Sequence, residues 1–121
     1  MEHLEVGVAT GAYSPGVLAP GPFLFVSGQG PETNGVVVPG TVAEQTRLAL
    51  DNVEAVLAAA GATRADVVRC TVYLADIDTF GVMDAEFAAF FGARRPARTT
   101  VGAALGGISV EIDAIAQLPV G

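Results

Sequence analysis

The side chains that could do chemistry in this chain are its carboxylates, arginines and hydroxyls, together with Tyr13 and Tyr73. Lysine is absent from all 121 residues, which excludes Schiff-base chemistry of the pyridoxal-phosphate or class I aldolase type. The single histidine, His3, can build neither a Ser-His-Asp triad nor a histidine-rich metal site within one chain. The single cysteine, Cys70, lies in an apolar run, which favours a buried structural thiol over a nucleophile. The sequence therefore predicts chemistry without a metal or a cofactor.

Three candidate charged residues, Arg98, Glu111 and Asp113, lie in the last quarter of the chain. Glu111 and Asp113 interrupt an otherwise apolar, strand-like run and share one nominal face of it, so one of them is expected to face a cleft. Arg98 carries a guanidinium, which can hold a carboxylate through two parallel hydrogen bonds. Taken without any other information, however, Arg98 is expected to form a structural ion pair with an Asp or Glu.

Composition and charge limit the classes of protein and partner. Apolar residues make up 51% of the chain and charged residues 16%, which predicts one folded domain spanning residues 1–121. The net charge of −7 and the lack of an aromatic-basic patch argue against nucleic acid as a partner. No apolar run approaches the roughly 20 residues of a membrane span, and the first residues do not resemble a signal peptide. We therefore expect a cytoplasmic protein that does not bind membranes.

Two segments have the pattern of amphipathic helices. The first runs from about Val42 to Ala60, where Thr41 and Glu44 form a capping box and Gly61 ends the helix. The second runs from about Phe80 to Phe91, and its stripe of Phe and Met side chains is typical of a core-facing surface.

Short β-favouring runs alternate with turn signals along the rest of the chain. Strands are predicted at 23–26, 36–38, 67–74, 97–103 and 109–118, with a tight connection around Gly106 and Gly107 joining the last two. The pattern predicts a mixed α/β (α+β) layer structure in which two helices cover one face of a sheet of five or six strands. Apolar residues also occupy the opposite face, for example Phe23, Phe25 and Val67. A second apolar face on a folded domain indicates a homo-oligomer.

Seven segments together resemble one known family, the reactive intermediate deaminases (the RidA or YjgF group), over essentially the whole chain. Gly11-Ala12-Tyr13-Ser14 is similar to the family's G-P-Y-S, and Phe25-Val26-Ser27-Gly28-Gln29 to its F-V-S-G-Q. The most specific match is Arg95-Pro96-Ala97-Arg98-Thr99-Thr100-Val101 followed by Val110-Glu111-Ile112-Asp113-Ala114-Ile115-Ala116. Weaker matches occur at 45–46 with Asn52, at 59–61 and at 72–74 with Asp76.

The resemblance implies a chorismate-mutase-like fold and a homotrimer whose three sheets form a central barrel-like core. It implies active sites in the clefts between subunits, with no cofactor. It also implies hydrolysis of 2-imino or 2-enamino acids to 2-oxo acids and ammonia.

The resemblance also assigns roles to single residues. Arg98 would hold the substrate carboxylate and Glu111 would orient the attacking water, with backbone groups near Thr100 helping to hold that water. Ser27 and Gly28 would complete the carboxylate pocket, Tyr13 would wall the cleft from the neighbouring subunit, and Asp84 would take a substrate-binding position where an Asn is common. Ordinary alternatives are a solvated edge carboxylate for Glu111 and an exposed loop tyrosine for Tyr13.

Some positions depart from the family pattern. Ala12 and Pro15 replace the usual Pro and Gln, Thr99-Thr100 replaces a frequent Ser-Cys pair, and the link from Val101 to Glu111 is shorter and lacks a Pro-Lys-Asp turn. These changes alter the rim of the pocket. Two other functions are alternatives: a non-catalytic trimeric protein that binds small carboxylates, and an endoribonuclease, which the acidic charge opposes.

Overall fold

The computed structural model describes residues 1–5, 7 and 11–119. Within these residues, eight strands and two α-helices follow one another in the order β1 (Glu2–Leu4), β2 (Gly16–Leu18), β3 (Phe23–Gln29), β4 (Glu32–Thr33), β5 (Val36–Val37), α1 (Val42–Ala59), β6 (Val67–Leu74), α2 (Phe80–Phe91), β7 (Ala97–Gly102) and β8 (Val110–Gln117). Short 3₁₀ turns, Arg64–Asp66 and Ile77–Thr79, precede β6 and α2.

The main sheet has four strands in the order β3-β8-β6-β7, of which only β6 and β7 are parallel. The prediction of five or six strands in one sheet was wrong, because β1 with β2 and β4 with β5 form separate two-stranded ribbons. The last two strands are also not neighbours, since β6 lies between β7 and β8. The helix α2 carries the chain from β6 to a parallel β7, as a parallel connection requires, and β8 then returns to the far side of β6.

Both helices begin and end where local signals place them. The Thr41 hydroxyl accepts a hydrogen bond from the Glu44 amide at 3.2 Å, and the Glu44 carboxylate accepts one from the Thr41 amide at 2.9 Å, which confirms the capping box. Gly92 follows α2 with φ of +63°, a conformation that glycine adopts without strain. Within the described residues, neither helix combines the length and the apolar character that a bilayer crossing needs.

The core lies between the two helices and one face of the sheet. In β8 the buried residues, which face the helices, alternate with partly exposed ones, and Glu111 and Asp113 share the other face, as the sequence predicted. Fully buried side chains come from every layer: Leu50 and Leu57 from α1, Met83 and Phe87 from α2, and Cys70, Val72, Leu74, Val110 and Ile112 from the sheet.

The opposite face of the sheet exposes large apolar side chains. Phe25 is 73% exposed, Phe23 41% and Val101 38%. Phe25 lies opposite Ile115 and Val101 opposite Tyr73, so these side chains belong to one surface. Exposed aromatic rings on a sheet face leave apolar area in water that a second protein surface could cover.

Cys70 lies in the core on the helix-facing side of β6 and is fully buried. Burial raises the pKa of its thiol, and the nearby Asp113 carboxylate raises it further. The thiol therefore stays protonated near neutral pH, and Cys70 is a structural residue as the sequence indicated.

We expect Cys70 to react with a thiol reagent such as Ellman's reagent on the order of 10³-fold more slowly in the native protein than in the denatured protein, because the reagent must wait for the core to open. The measurement is the rate of reagent consumption with and without guanidinium chloride. A native rate equal to that of the denatured chain would contradict the buried position.

Candidate functional site

Arg98 lies on the edge strand β7 and points toward the helices. It is paired in register with Cys70, so the two side chains share the helix-facing side of the sheet. The side chain is only 1% exposed. The rings of Tyr13, Phe80 and Phe87 surround the guanidinium, with centroids 5.4, 5.2 and 4.8 Å from its central carbon. These distances allow cation-π attraction in a place where water is largely excluded.

The positive charge of Arg98 is balanced by Asp84 of helix α2. Arg98 Nη1 donates to Asp84 Oδ1 at 2.7 Å and makes a longer bond of 3.3 Å to the Ala12 carbonyl. The same Asp84 oxygen accepts a hydrogen bond from the Ala12 amide at 2.8 Å. Arg98 therefore forms, within one chain, the ion pair with an acidic residue that the sequence alone indicated.

The segment 11–14 covers the guanidinium. Ala12 is 2% exposed, and Ser14 is tied to the strand that carries Arg98: its amide donates to the Pro96 carbonyl at 2.9 Å and its hydroxyl to the Arg95 carbonyl. A Cβ on Gly11 would lie 3.1 Å from Arg98 Nη2 and 3.2 Å from Asp84 Oδ1. Glycine at this position therefore allows the backbone to approach the ion pair closely.

Glu111 faces the other way. It lies opposite Tyr73 on β6, three residues from Cys70, so its side chain is on the face of the sheet away from the helices. Its carboxylate packs against the backbone of Gly28, where an added Cβ would lie 2.6 Å from Glu111 Oε2. The absence of a side chain at residue 28 makes the space that this carboxylate occupies.

Glu111 also lines a polar cavity of about 370 Å³ at the end of β3. The lining residues are Gly28, Gln29, Gly30, Glu32, Asn34, Gly35, Asn52 and Glu111. Asn52 of α1 fixes one wall, since its amide donates to the carbonyls of Gly30 at 2.9 Å and Glu32 at 2.8 Å. The cavity can accept a small polar molecule next to a carboxylate.

Asp113, the other acidic residue of β8, has a structural partner. Its carboxylate accepts a hydrogen bond from the Thr71 amide at 2.8 Å. Of the two carboxylates that the sequence offered, Glu111 is therefore the one at the cavity.

The sequence-predicted site residues form two groups on opposite faces of the sheet. Arg98, Asp84 and Tyr13 lie together on the helix side, and Thr100, paired with buried Val72, shares that side. The Thr100 hydroxyl is buried and has no hydrogen-bond partner within the described part of the chain. Ser27, Gly28 and Glu111 form the second group, in which Ser27 is exposed. One chain therefore does not bring Arg98 and Glu111 together.

The pairing of Asp84 with Arg98 was missed at the level of sequence, although α2 carries a signal. Asp84 follows Phe80 by four residues and precedes Phe87 by three, so it lies within the apolar stripe of the helix. A carboxylate on a core-facing stripe requires a buried partner. Among the residues that the structure describes, three or more His, Cys, Asp and Glu side chains nowhere cluster as metal ligands would.

Comparison with known proteins places this geometry in a family. The family model described as endoribonuclease L-PSP matches residues 5–118. The chain belongs to this family, which is also known as the YjgF/RidA family. The resemblance deduced from the sequence motifs is therefore confirmed.

Named relatives within the family are similar over most of the chain. A 2-iminobutanoate/2-iminopropanoate deaminase of Rattus norvegicus is 43% identical over 112 residues, covering 89% of this chain and 81% of the relative. A RutC family protein of Pyrococcus horikoshii is 41% identical over 110 residues, covering 88% of this chain and 86% of the relative. The crystal structure of TdcF from E. coli with bound serine is 35% identical, has a TM-score of 0.75, and is matched over 92% of this chain and 91% of TdcF.

Family membership confirms the mixed α+β architecture with two helices and a mixed sheet. Within this chain, Asp84 places a negative charge 2.7 Å from the guanidinium of Arg98.

Replacing Asp84 tests how much the fold depends on this ion pair. Asp84→Ala leaves a buried guanidinium without its counter-charge, so we expect a loss of about 3 kcal/mol of unfolding free energy. Asp84→Asn keeps an oxygen that can accept from both Arg98 and the Ala12 amide, so we expect a loss of about 1 kcal/mol. Denaturant unfolding of both variants measures the difference.

The matched control is Asp51→Ala on the exposed side of α1, which should change the unfolding free energy by less than about 0.5 kcal/mol. Equal stability of Asp84→Ala and Asp51→Ala would show that the ion pair contributes nothing to the fold.

Proposed function

We propose that this protein hydrolyses reactive 2-imino or 2-enamino acids to 2-oxo acids and ammonia. The observation that carries the proposal is the Glu111 carboxylate, which stands at a polar cavity of about 370 Å³ against the backbone of Gly28. Two relatives that are 43% and 40% identical to this chain are named 2-iminobutanoate/2-iminopropanoate deaminases, which supports this reaction class for the chain. A carboxylate at the wall of a polar cavity has the chemistry that water activation needs.

The proposed reaction has two stages. In the first, a water oxygen bonds to C2 of the imine and the C=N double bond becomes single, while Glu111 takes one proton from that water and the nitrogen takes one proton from solvent. In the second, the carbinolamine collapses: its hydroxyl gives a proton to solvent, a C=O bond forms, and the C–N bond breaks. Glu111 returns its proton to the departing nitrogen, which leaves as ammonia, so that neither the protein nor the solvent has gained or lost a proton.

Arg98 is proposed to bind the substrate carboxylate, and Tyr13 and the backbone near Thr100 lie beside it. Ser27 and Gly28 would contribute from the side of the site that carries Glu111. Holding the carboxylate in a fixed plane presents C2 to the water in one orientation. Since Arg98 and Glu111 face opposite sides of the sheet in one chain, the proposal requires Arg98 of one subunit to meet Glu111 of another.

The assembly proposed for this purpose is a homotrimer. The face that exposes Phe23, Phe25 and Val101 supplies apolar area that three sheets could bury against one another. The same face carries Glu111, so contact between sheets would place that carboxylate at a subunit boundary.

A non-catalytic carboxylate-binding protein remains the alternative from another class. Such a protein needs the cation but has no use for a water acceptor, so the placement of Glu111 in the cavity favours the enzyme. Endoribonuclease activity, which the family description names, is opposed by the net charge of −7 and the absence of lysine.

Glu111→Gln separates the enzyme from the binding protein. The amide keeps the size of the side chain but is a poor proton acceptor, so we expect kcat for 2-iminopropanoate, generated in situ by an amino-acid oxidase, to fall by about 10²-fold. The affinity for pyruvate, measured by calorimetry, should change by less than about 1 kcal/mol if the group acts mainly in the transition state.

Glu32→Gln is the matched control, because Glu32 lines the same cavity but lies beside Gly30, where an added Cβ would be 3.7 Å from Glu32 Oε1. It should keep kcat within about threefold of the unmodified protein. Unchanged turnover in Glu111→Gln would reduce Glu111 to a solvated carboxylate at the sheet surface.

A further inference from the structure

Asp84 occupies the place at Arg98 that a carboxylate ligand would take. The contact of 2.7 Å between Arg98 Nη1 and Asp84 Oδ1 is a charge-assisted bond of the same kind that a bound carboxylate makes with a guanidinium. Three aromatic rings and the backbone of residues 11 and 12 also lie against this guanidinium, and these described groups are uncharged. The site therefore contains its own carboxylate.

The same Asp84 oxygen also fastens the cover of the site. It accepts from the Ala12 amide at 2.8 Å while it pairs with Arg98, so one atom holds both the cation and the segment that lies over it. With the pair closed, the Arg98 side chain is 1% exposed, whereas the Asp84 side chain is 23% exposed. A ligand carboxylate reaches Arg98 only by displacing or sharing this contact.

Charge makes this competition selective. Arg98 and Asp84 together are neutral, so a ligand with one carboxylate brings the cluster to −1 and a ligand with two brings it to −2. Among the described residues, Asp84 forms its ion pair with Arg98 alone. Four of the other arginines bond elsewhere: Arg47 to Glu86, Arg64 to Glu54, Arg69 to Thr99 and Arg95 to the Gly92 carbonyl. A second ligand carboxylate would thus meet Asp84 without a cation of its own at this cluster.

We propose that Asp84 is a specificity-determining residue that competes with the ligand carboxylate for Arg98, weakens anion binding, and restricts the site to small molecules with a single carboxylate. The inference rests on the proposed role of Arg98 in binding the substrate carboxylate. Affinity and substrate class are then set by the Asp84 carboxylate, which the chain itself supplies.

The test is calorimetric binding of stable 2-oxo compounds to the full chain and to Asp84→Asn. The amide removes the competing charge, so the Kd for pyruvate should fall about 10-fold and that for 2-oxoglutarate about 30-fold or more, since its second carboxylate is also relieved of repulsion. Pyruvamide, in which an amide replaces the carboxylate, should bind both proteins within about twofold.

Kinetics add a readout that a purely structural role would not produce. For 2-iminopropanoate, Asp84→Asn should lower KM by about 10-fold and keep kcat within about threefold. The variant changes the binding of the substrate carboxylate but does not change the attacking water, which gives its proton to Glu111. Asp51→Asn, which removes one charge from the exposed side of α1, is the control and should leave every Kd and KM within about twofold.

Pyruvate binding to Asp84→Asn that is equal to or weaker than binding to the unmodified protein would overturn the competition, as would a failure of pyruvate to bind either protein. Tighter binding without imine hydrolysis by either protein would sustain the inference while the proposed enzymatic function failed. If Asp84→Asn does not fold, Asp84→Ser removes the same charge, keeps a hydroxyl for the Ala12 amide, and allows the same comparison.

Discussion

The two-residue period of the β-strand is the constraint on which this site depends. Strand β6 lies between β7 and β8, and its pairing fixes the face on which each functional side chain stands. Cys70 is in register with Arg98 and Tyr73 with Glu111. Because these two partners on β6 are separated by an odd number of residues, Arg98 and Glu111 point to opposite sides of one sheet. A reaction that needs both groups at one substrate therefore needs two chains.

The burial of Arg98 follows from the same constraint. Facing the helices places its guanidinium in a core layer, where an unpaired charge is costly. Asp84, from the apolar stripe of helix α2, supplies the counter-charge for Arg98. The segment 11–14 covers the pair, and Gly11 lies close to it. The result is a cation that is held in one position by groups of its own chain. The same groups that stabilise it also limit which anions can reach it.

The sequence predicted those features that depend on neighbouring residues. Thr41 and Glu44 define the start of α1 through contacts three residues apart, and the alternation in β8 correctly separated the core-facing residues from Glu111. The pairing of strands depends on residues far apart in the chain, so β7 and β8 were wrongly placed side by side and the two-residue strand β4 was not predicted. The resemblance singled out Arg98 and Asp84 separately. The apolar stripe of α2 indicates that Asp84 needs a buried partner, but which residue that partner is depends on how α2 packs against the edge strand.

The most direct test of a shared site is complementation between two impaired variants, Arg98→Ala and Glu111→Gln, unfolded together and refolded as a mixture. If each site takes Arg98 from one subunit and Glu111 from another, random assembly of equal amounts leaves both residues intact in about a quarter of the sites, and imine hydrolysis should return to about a quarter of the unmodified rate. Each variant refolded alone is the control and should show only its own low residual activity. A mixture no more active than the two separate variants would contradict a site shared between chains.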